Sequence, residues 1–586
     1  MTYKAPLRDY QFLLKDWLKL PEKWQALTGS ADLDDSLLDA VLEEAGKFCG
    51  EVLSPINRSG DEEGCHFENG VVRTPKGFKE AWKQFAESGW QSLCGDPNYG
   101  GQGLPRALHV AIEEMIYGAN TSFCLYSSLT NGATECLSAH GDDALKSTYL
   151  PKLLSGEWAG AMCLTEPHAG TDLGLLKTKA APNNDGSYSI SGTKIFITGG
   201  EHDLTDNIIH LVLARLPDAP EGTKGISLFL VPKVLVNSDL SLGERNAIHC
   251  GSIEHKMGIK ASSTCVMNLD GAKGWLIGKP HQGLRAMFTM MNVERLSIAI
   301  QGIGLGELAW QIAARYAVER KQGRAEQSEN TADPIIVHGD VQRMLMTMRA
   351  YNEGGRALAL WMGTLLDAAH RGNDEKQKAE ADAMLALLTP IAKGFFTDTG
   401  FDACNLGVQV LGGHGYVREW GVEQTVRDAR IAQIYEGTNG VQALDLVGRK
   451  VIANKGETAK VLLHEIRETA HDHPDLIWRD ALKVAANDFE QALNALLSNA
   501  EKGGHHANAN AVHFMHLSGY LIYGWLWAQQ LQVLHNNVSD DPFVRNKRIT
   551  ADFYRRQLLP RTASLKVLIV GDACDWTIPD TEYYAV

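Results

Sequence analysis

The stretch R-D-A-R-I-A-Q-I-Y-E-G-T-N-G-V-Q, residues 427–442, decides how the chain is read. At its centre is I-Y-E-G-T, where Glu436 is followed by Gly437. Glycine carries no Cβ and leaves the chain free to turn there. In isolation, Y-E-G reads as a solvated loop glutamate. Three other stretches change its context: M-C-L-T-E-P-H-A-G-T-D at 162–172, K-I-F-I-T-G-G at 194–200 and Q-V-L-G-G-H-G-Y at 409–416. A lone G-G-H-G is weak, because glycine loops are common. All four in this order are far more specific.

Outward from these stretches, the period of the hydrophobic pattern changes twice. Residues 35–159 read as mainly helical. Within them, 36–48 form a helical segment that Asp32 or Asp34 could cap. The cluster G-D-P-N-Y-G-G-Q-G-L-P, residues 95–105, reads as a loop. From about 160 to 282 the pattern is strand-like. Asn184-Asp185-Gly186 signals a turn, and Tyr188 and Ile190 then alternate with serines. Further runs at 208–213 and 226–231 complete the prediction of a compact antiparallel barrel or sandwich. Helical periodicity returns after Gly283, where Leu305, Leu308, Ile312 and Tyr316 share one face. Polar stretches at 322–333 and 371–378 read as loops, and 453–458 as a short linker. The chain then continues with helical character to its final Y-Y-A-V. No internal repeat is visible. The prediction is a mainly α chain with a central β-domain. It has an N-terminal arm over 1–35 and an N-terminal helical domain over 36–159. The central β-domain covers 160–282, a helical domain covers 283–453 and an additional helical domain covers 454–586.

The chain has 586 residues, 44% of them hydrophobic, which suits several globular domains. Its net charge of −15 disfavours non-specific nucleic-acid binding, which needs basic surface. None of the ten cysteines forms a C-x-x-C pair, so no metal site is expected. The N-terminus lacks the apolar stretch of a signal peptide, and Asp9 and Asp16 speak against a transit peptide. Reduced thiols in the cytoplasm are the simplest reading. The apolar run 517–527 is short for a membrane span and reads as a buried helix. There is no P-loop, and Gly302-Ile303-Gly304-Leu305-Gly306 does not follow a strand-like run.

Taken together, the four stretches resemble the acyl-CoA dehydrogenase family over roughly residues 36–453. The resemblance implies an N-terminal helical domain, a central β-domain and a C-terminal four-helix domain. The long form, with its arm and extra C-terminal domain, resembles the 3-methylmercaptopropionyl-CoA dehydrogenase subgroup, though no motif fixes that substrate. The implied activity is FAD-dependent oxidation of an acyl-CoA to a trans-2-enoyl-CoA. Electrons would then pass to an electron-transferring flavoprotein. Such chemistry needs a positioned carboxylate, because the α-proton of a thioester is a poor acid. It needs donors aimed at the thioester oxygen and a hydride acceptor that only a cofactor can provide. Glu436 matches the family's base. Glu294, in N-V-E-R-L at 292–296, is the competing carboxylate, since some branches such as isovaleryl-CoA dehydrogenases place the base there. Arg295 resembles an arginine close to the active site.

The resemblance assigns Thr165 and Thr198 to the isoalloxazine ring, Thr198 near N5. Phe196 stands where a tryptophan commonly covers that ring. Met162, Leu164, Gly170 and Thr171 complete this side of the cofactor site. Arg320 matches an arginine that reaches the pyrophosphate through charge-assisted bonds, although the following K-Q-G-R-A-E-Q-S-E-N is longer than usual. Gln409, Gly412, Gly413 and Gly415 match the segment lining the adenosine portion, and Thr438 falls near the adenine-pyrophosphate region. Thr171, Asn292, Arg295, Tyr435 and Gly437 are the expected substrate contacts. His168 replaces a common glycine and is given no catalytic role. Relatives draw adenosine contacts from a neighbouring subunit, so a homodimer or tetramer is implied. Two alternatives stay open: an acyl-CoA oxidase that admits oxygen, and a helical interaction protein that kept the fold without activity.

Overall fold

Asp34 supplies the expected cap: its Oδ1 accepts from the backbone N–H of Leu37 at 2.7 Å, starting the helix Asp35–Phe48. The computed structural model describes residues 3–535 and 540–571. The final Y-Y-A-V and the rest of 572–586 lie outside the described residues, as do residues 1–2 of the arm. In chain order the first helices are α1 (Leu7–Gln11), α2 (Leu20–Thr28), α3 (Asp35–Phe48) and α4 (Pro55–Glu63). Strands β1 (His66–Glu68) and β2 (Val71–Arg73) form a hairpin inside a stretch predicted to be mainly helical. Asn69 and Gly70 turn it with φ of 51° and 79°, the left-handed pair that tight hairpins favour.

Helices α5 (Phe78–Glu87), α6 (Arg106–His140) and α7 (Asp143–Leu154) follow. Helix α6 breaks at Asn120, whose Oδ1 accepts from Phe123 N at 3.1 Å and so recaps the second half. Next come β3 (Trp158–Cys163), β4 (Lys179–Pro182), β5 (Tyr188–Thr198), β6 (Asn207–Arg215) and β7 (Ile226–Pro232). Strands β8 (Val234–Val236), β9 (Leu242–Arg245), β10 (Ile248–Ile253) and β11 (Thr264–Ile277) end the β region. The remaining helices are α8 (Gly283–Glu319), α9 (Gly339–Arg371), α10 (Glu375–Leu411), α11 (Val422–Arg430) and α12 (Asn439–Asp445). After them come α13 (Glu457–Asp472), α14 (Leu476–Lys502), α15 (Gly504–Asn508), α16 (Ala511–Leu534), α17 (Pro542–Gln557) and α18 (Arg561–Val570).

The chain folds as two compact units. The first holds residues 43–297 with the start of the chain. Its strands β11, β5, β4, β6 and β7 pair in a closed ring, with β10 and β3 alongside. The expected barrel is therefore present, but it is not wholly antiparallel. Strand β3 runs parallel to β6 from the Trp158–Asn207 pair to the Cys163–Val212 pair. Alternation identifies a strand's two faces and says nothing about its neighbour's direction. Strand β6 is buried on both faces. Ile208, Val212 and Ala214 join one core with Phe229 and Val231 of β7. Ile209, Leu211 and Leu213 join another with Leu129, Leu150 and Leu153 of α6 and α7.

The second unit holds residues 6–42 and everything after Ser297. Residues 6–35, read as part of an arm, thus fall within this helical unit. Leu305, Leu308, Ile312 and Tyr316 of α8 do share a packed face. The glycines at 302–306 lie in α8, and Gly302 serves close packing: a Cβ there would sit 2.6 Å from the Phe396 carbonyl oxygen of α10. The apolar run 517–527 is buried within α16. Among the described residues, no helix is long and apolar enough to cross a membrane.

A buried charge network joins three parts of this unit. Arg356 of α9 donates to Asp9 of α1 at 2.7 Å and to Glu307 of α8 at 3.1 Å. Lys547 of α17 lies 2.5 Å from Asp9 and 2.8 Å from Glu353 of α9. Arg349 also reaches Glu353 at 2.5 Å. Three cations face three carboxylates, so the cluster is neutral. Lys547 is 1% exposed and sits over the Trp527 ring, 4.9 Å from its centroid. Burial would raise the Glu353 carboxyl, but Lys547 and Arg349 hold it at about 2.

Removing one partner of a buried pair leaves an uncompensated charge, so Lys547→Met is expected to cost about 3–5 kcal/mol. Urea unfolding measures this, and a loss below roughly 1 kcal/mol would show that the cluster reorganises freely. Glu353 also carries a pH signature. Its folded value lies below the ordinary 4.5, so its contribution is complete above that pH and is lost as pH falls towards about 2. Glu353→Gln is expected to be less stable at pH 7 and to lose stability less steeply on acidification. Parallel acid slopes for the two proteins would refute this.

Candidate active site

In the first unit, two of the quoted stretches meet at the edge of the barrel. Ile195 N donates to the Thr165 carbonyl oxygen at 2.9 Å, joining the segment after β3 to β5. Beneath this contact lies a buried ion pair. Lys194 is 0% exposed and reaches Glu166 at 2.9 Å and the Leu164 carbonyl oxygen at 3.0 Å. Glu166 also accepts from Thr178 Oγ1 at 2.6 Å and Lys177 N at 2.7 Å. Burial would raise its carboxyl, but Lys194 and these donors keep it at about 2.

The pairing of β5 with β11 slips between Cys265 and Met267, opposite Phe196. Phe196 takes a φ of 58° and is 59% exposed. A bulge of this kind re-aims one side chain. Here it turns an aromatic ring out of the barrel wall, two residues before Thr198. Thr198 is half-buried at the end of β5, opposite Thr264. Met162 is half-buried on β3, Leu164 is buried, and Gly170 and Thr171 are exposed. His168 bonds the Leu175 carbonyl oxygen at 3.1 Å, in keeping with a structural role.

Helix α8 carries the second carboxylate. Glu294 is 2% exposed and accepts from Ser128 Oγ of α6 at 3.4 Å. A Cβ on Gly132 would come within 2.7 Å of its Oε1, so Glu294 is pressed against α6. Arg295 is also buried, with its guanidinium 5.9 Å from the Phe288 ring centroid, whereas Asn292 is exposed.

In the second unit, residues 434–438 form a loop between a short 3-10 turn and α12. Glu436 is half-buried at φ 56°, and Gly437 follows at φ 83°. A left-handed glutamate is uncommon and must be held by its surroundings. Gln442 Nε2 donates to the Glu436 carbonyl oxygen at 2.8 Å, and Lys393 Nζ of α10 to that of Gly437 at 2.7 Å. Tyr435 donates to Gln301 Oε1 of α8 at 2.5 Å. Thr438 caps α12 through Val441 N at 3.2 Å.

The other predicted contacts of this unit gather at the far end of α8 and α10. Gly412 ends α10 at φ 60°, with nothing within 4 Å of where a Cβ would stand, and Gly413 is equally open. At Gly415 a Cβ would meet the Val408 carbonyl oxygen at 2.4 Å, so the turn closes only on glycine. Tyr316 bonds His414 Nδ1 at 2.9 Å and ties this turn to the end of α8, where Arg320 is exposed. Gln409 is exposed as well. The Glu436 loop packs near Asp398 and the glycine turn follows Leu411, a separation of about 20 Å at the usual helical rise. Glu166, Lys194, Lys393, Asn439 and Gln442 were not predicted as site residues. Glu166, Lys194, Asn439 and Gln442 lie inside the quoted stretches. Lys393 sits far from them in sequence and has no local signal.

The family models follow this architecture. The acyl-CoA dehydrogenase N-terminal domain matches residues 38–157, the middle domain 161–272 and the C-terminal domain 281–452. The acetyl-CoA dehydrogenase C-terminal-like domain matches 462–575. A 3-methylmercaptopropionyl-CoA dehydrogenase of Ruegeria pomeroyi is 45% identical over 95% of this chain and 96% of its own. A butyryl-CoA dehydrogenase of Syntrophomonas wolfei is 34% identical over 99% of each chain. The crystal structure of an acyl-CoA dehydrogenase complexed with FAD from Bacillus anthracis shares the fold with a TM-score of 0.75. It is 22% identical and covers 92% of this chain and 88% of that one. Likeness of this order along almost the whole length makes this chain a member of the acyl-CoA dehydrogenase family.

Proposed function

We propose that this chain is an FAD-dependent acyl-CoA dehydrogenase in which Glu436 removes the α-proton of the acyl thioester to give a trans-2-enoyl-CoA. The observation that carries the reading is the loop 434–438. It holds a half-buried glutamate in a strained backbone conformation, with the carbonyl oxygens of Glu436 and Gly437 both tied down. A base held so firmly can take a weakly acidic proton without first reorganising. The Glu436 backbone N–H is assigned to the thioester oxygen, where charge develops as the proton leaves. Tyr435 and Gly437, with Thr171, Asn292 and Arg295, are assigned to the substrate.

The residues present fit an FAD. Phe196 offers an exposed ring at the bulge of β5, with Thr198 and Thr165 beside it to bond a ring edge. Met162, Leu164, Gly170 and Thr171 border the same place. Gly412 and Gly413 leave backbone open to close approach, and Arg320 and Gln409 flank that turn. The bound cofactor would supply the hydride acceptor, which no side chain can be. The roughly 20 Å between the Glu436 loop and the glycine turn supports assigning that turn to a cofactor shared across a homodimer or within a tetramer, while Thr438, at the end of the Glu436 loop, is assigned to the adenine-pyrophosphate region by resemblance. Electrons would leave to an electron-transferring flavoprotein. The nine described cysteines are free thiols, which supports a reducing, cytoplasmic setting. The relatives named for 3-methylmercaptopropionyl-CoA and butyryl-CoA make short acyl-CoAs the first substrates to test.

Glu294 is buried against α6, and that supports a packing role rather than that of base. Glu436→Gln is expected to keep its yellow flavin and to lose anaerobic bleaching by acyl-CoA by about 10²–10⁴-fold. Rapid bleaching of that variant would remove Glu436 from the base role and point to Glu294. Admitting air after anaerobic reduction separates a dehydrogenase, whose flavin reoxidises slowly, from an oxidase.

A further inference from the structure

The loop that carries Glu436 is tied at both ends to one carboxylate. Asp398 Oδ1, on α10, accepts from Gln433 Nε2 at 2.7 Å and from Asn439 Nδ2 at 2.7 Å. These two residues bracket positions 434–438. Asn439 is 9% exposed and is itself fixed by Lys393 Nζ at 2.9 Å and by Thr397 Oγ1 at 2.9 Å. The other oxygen of Asp398 faces the additional C-terminal domain, where His516 Nε2 of α16 lies 2.7 Å from Oδ2.

The same stretch of α10 is where α16 packs. A Cβ on Gly519 would come within 2.3 Å of the Phe395 ring, and one on Gly394 within 2.2 Å of Met515 Sδ. The Phe395 ring meets His516 edge-on, 5.7 Å between centroids. Thus side chains of each helix seat on a glycine of the other, and this close approach of α16 to α10 presents His516 to Asp398. Burial would raise the Asp398 carboxyl. The bond from His516, with those from Gln433 and Asn439, brings it below its ordinary value.

We propose that His516 is a positioning residue for the reaction, through which the additional C-terminal domain holds Asp398 and thereby the loop of Glu436. The inference rests on Glu436 being the base. A carboxylate shared by two amides can rotate about its own side-chain bonds. A third partner on its second oxygen fixes the rotation and so fixes where both loop ends stand. His516 touches no reacting atom, so its effect falls on the geometry of proton removal and not on substrate affinity.

The test is anaerobic flavin bleaching by a short acyl-CoA in the full-length, FAD-loaded protein, with Glu436→Gln run alongside. His516→Ala is expected to bleach about tenfold more slowly at saturating substrate, with half-saturation moved less than about twofold. Flavin content should match that of the parent. His516→Gln, whose amide can still donate to Asp398, is expected to recover to within about threefold. Asp398→Asn, near-isosteric, should slow bleaching at least as much as His516→Ala. If His516→Ala bleaches at the parental rate while Glu436→Gln does not, the proposal fails and the function of Glu436 stands. It also fails if glutamine restores nothing, or if half-saturation moves as much as the rate. If no acyl-CoA bleaches the parent protein, the proposed function falls first and this inference with it.

Discussion

A glutamate at φ 56° is a conformation that the backbone resists by about 1–3 kcal/mol, and a set of polar groups on α10 and α12 surrounds it. Local sequence does not remove that resistance. Gly437 relaxes the next peptide, but Glu436 still has a Cβ to accommodate. The opposing free energy comes from groups distant in the chain. Lys393 grips the carbonyl that follows, Gln442 grips that of Glu436, and Asp398 holds the residues on either side. Each is a buried or half-buried polar group whose alternative partner, water, is largely removed, so each bond is costly to break. The strained residue and its supports therefore stand together.

What could be read from the chain, and what could not, follows from range. The apolar run at 208–213 announced a strand whose two faces are both buried, and α8 announced its packed face through residues three and four apart. Asp34 was readable as a cap because its bond spans three residues. The I-Y-E-G-T stretch was readable because everything in it is contiguous. The polar links were not. Asp9 and Arg356 are 347 positions apart and Asp398 and His516 are 118, and neither leaves a periodic trace. Strand direction was also silent, so β3 beside β6 came out parallel. The N-G pair at Asn69-Gly70, which turns the β1–β2 hairpin, went unread within a stretch predicted to be mainly helical. Phe196 was read by resemblance as an aromatic matching a cofactor position. Its bulge was not, because the slip depends on the partner strand β11.

The two buried ion clusters behave differently. Glu166 and Lys194 form a compact pair inside the barrel wall, satisfied by neighbours in adjoining strands and turns. It ties together two chain segments that both belong to the candidate cofactor site. The cluster of Asp9, Arg356, Glu307, Lys547, Glu353 and Arg349 spans the start, middle and end of the chain. Hydrophobic packing could hold these helices as well or better. In the arrangement present, every carboxylate of the cluster has a cation within 3.1 Å.

Where α8 and α10 cross, Gly400 would place a Cβ 2.3 Å from the carbonyl oxygen of Gly302, so the two main chains touch. Neither position can gain even a methyl group without parting the helices. Their axes are therefore a fixed gauge. Over evolutionary time, any retuning of what this unit accommodates must come from trading side chains further along, since the spacing of the helices themselves is closed to variation.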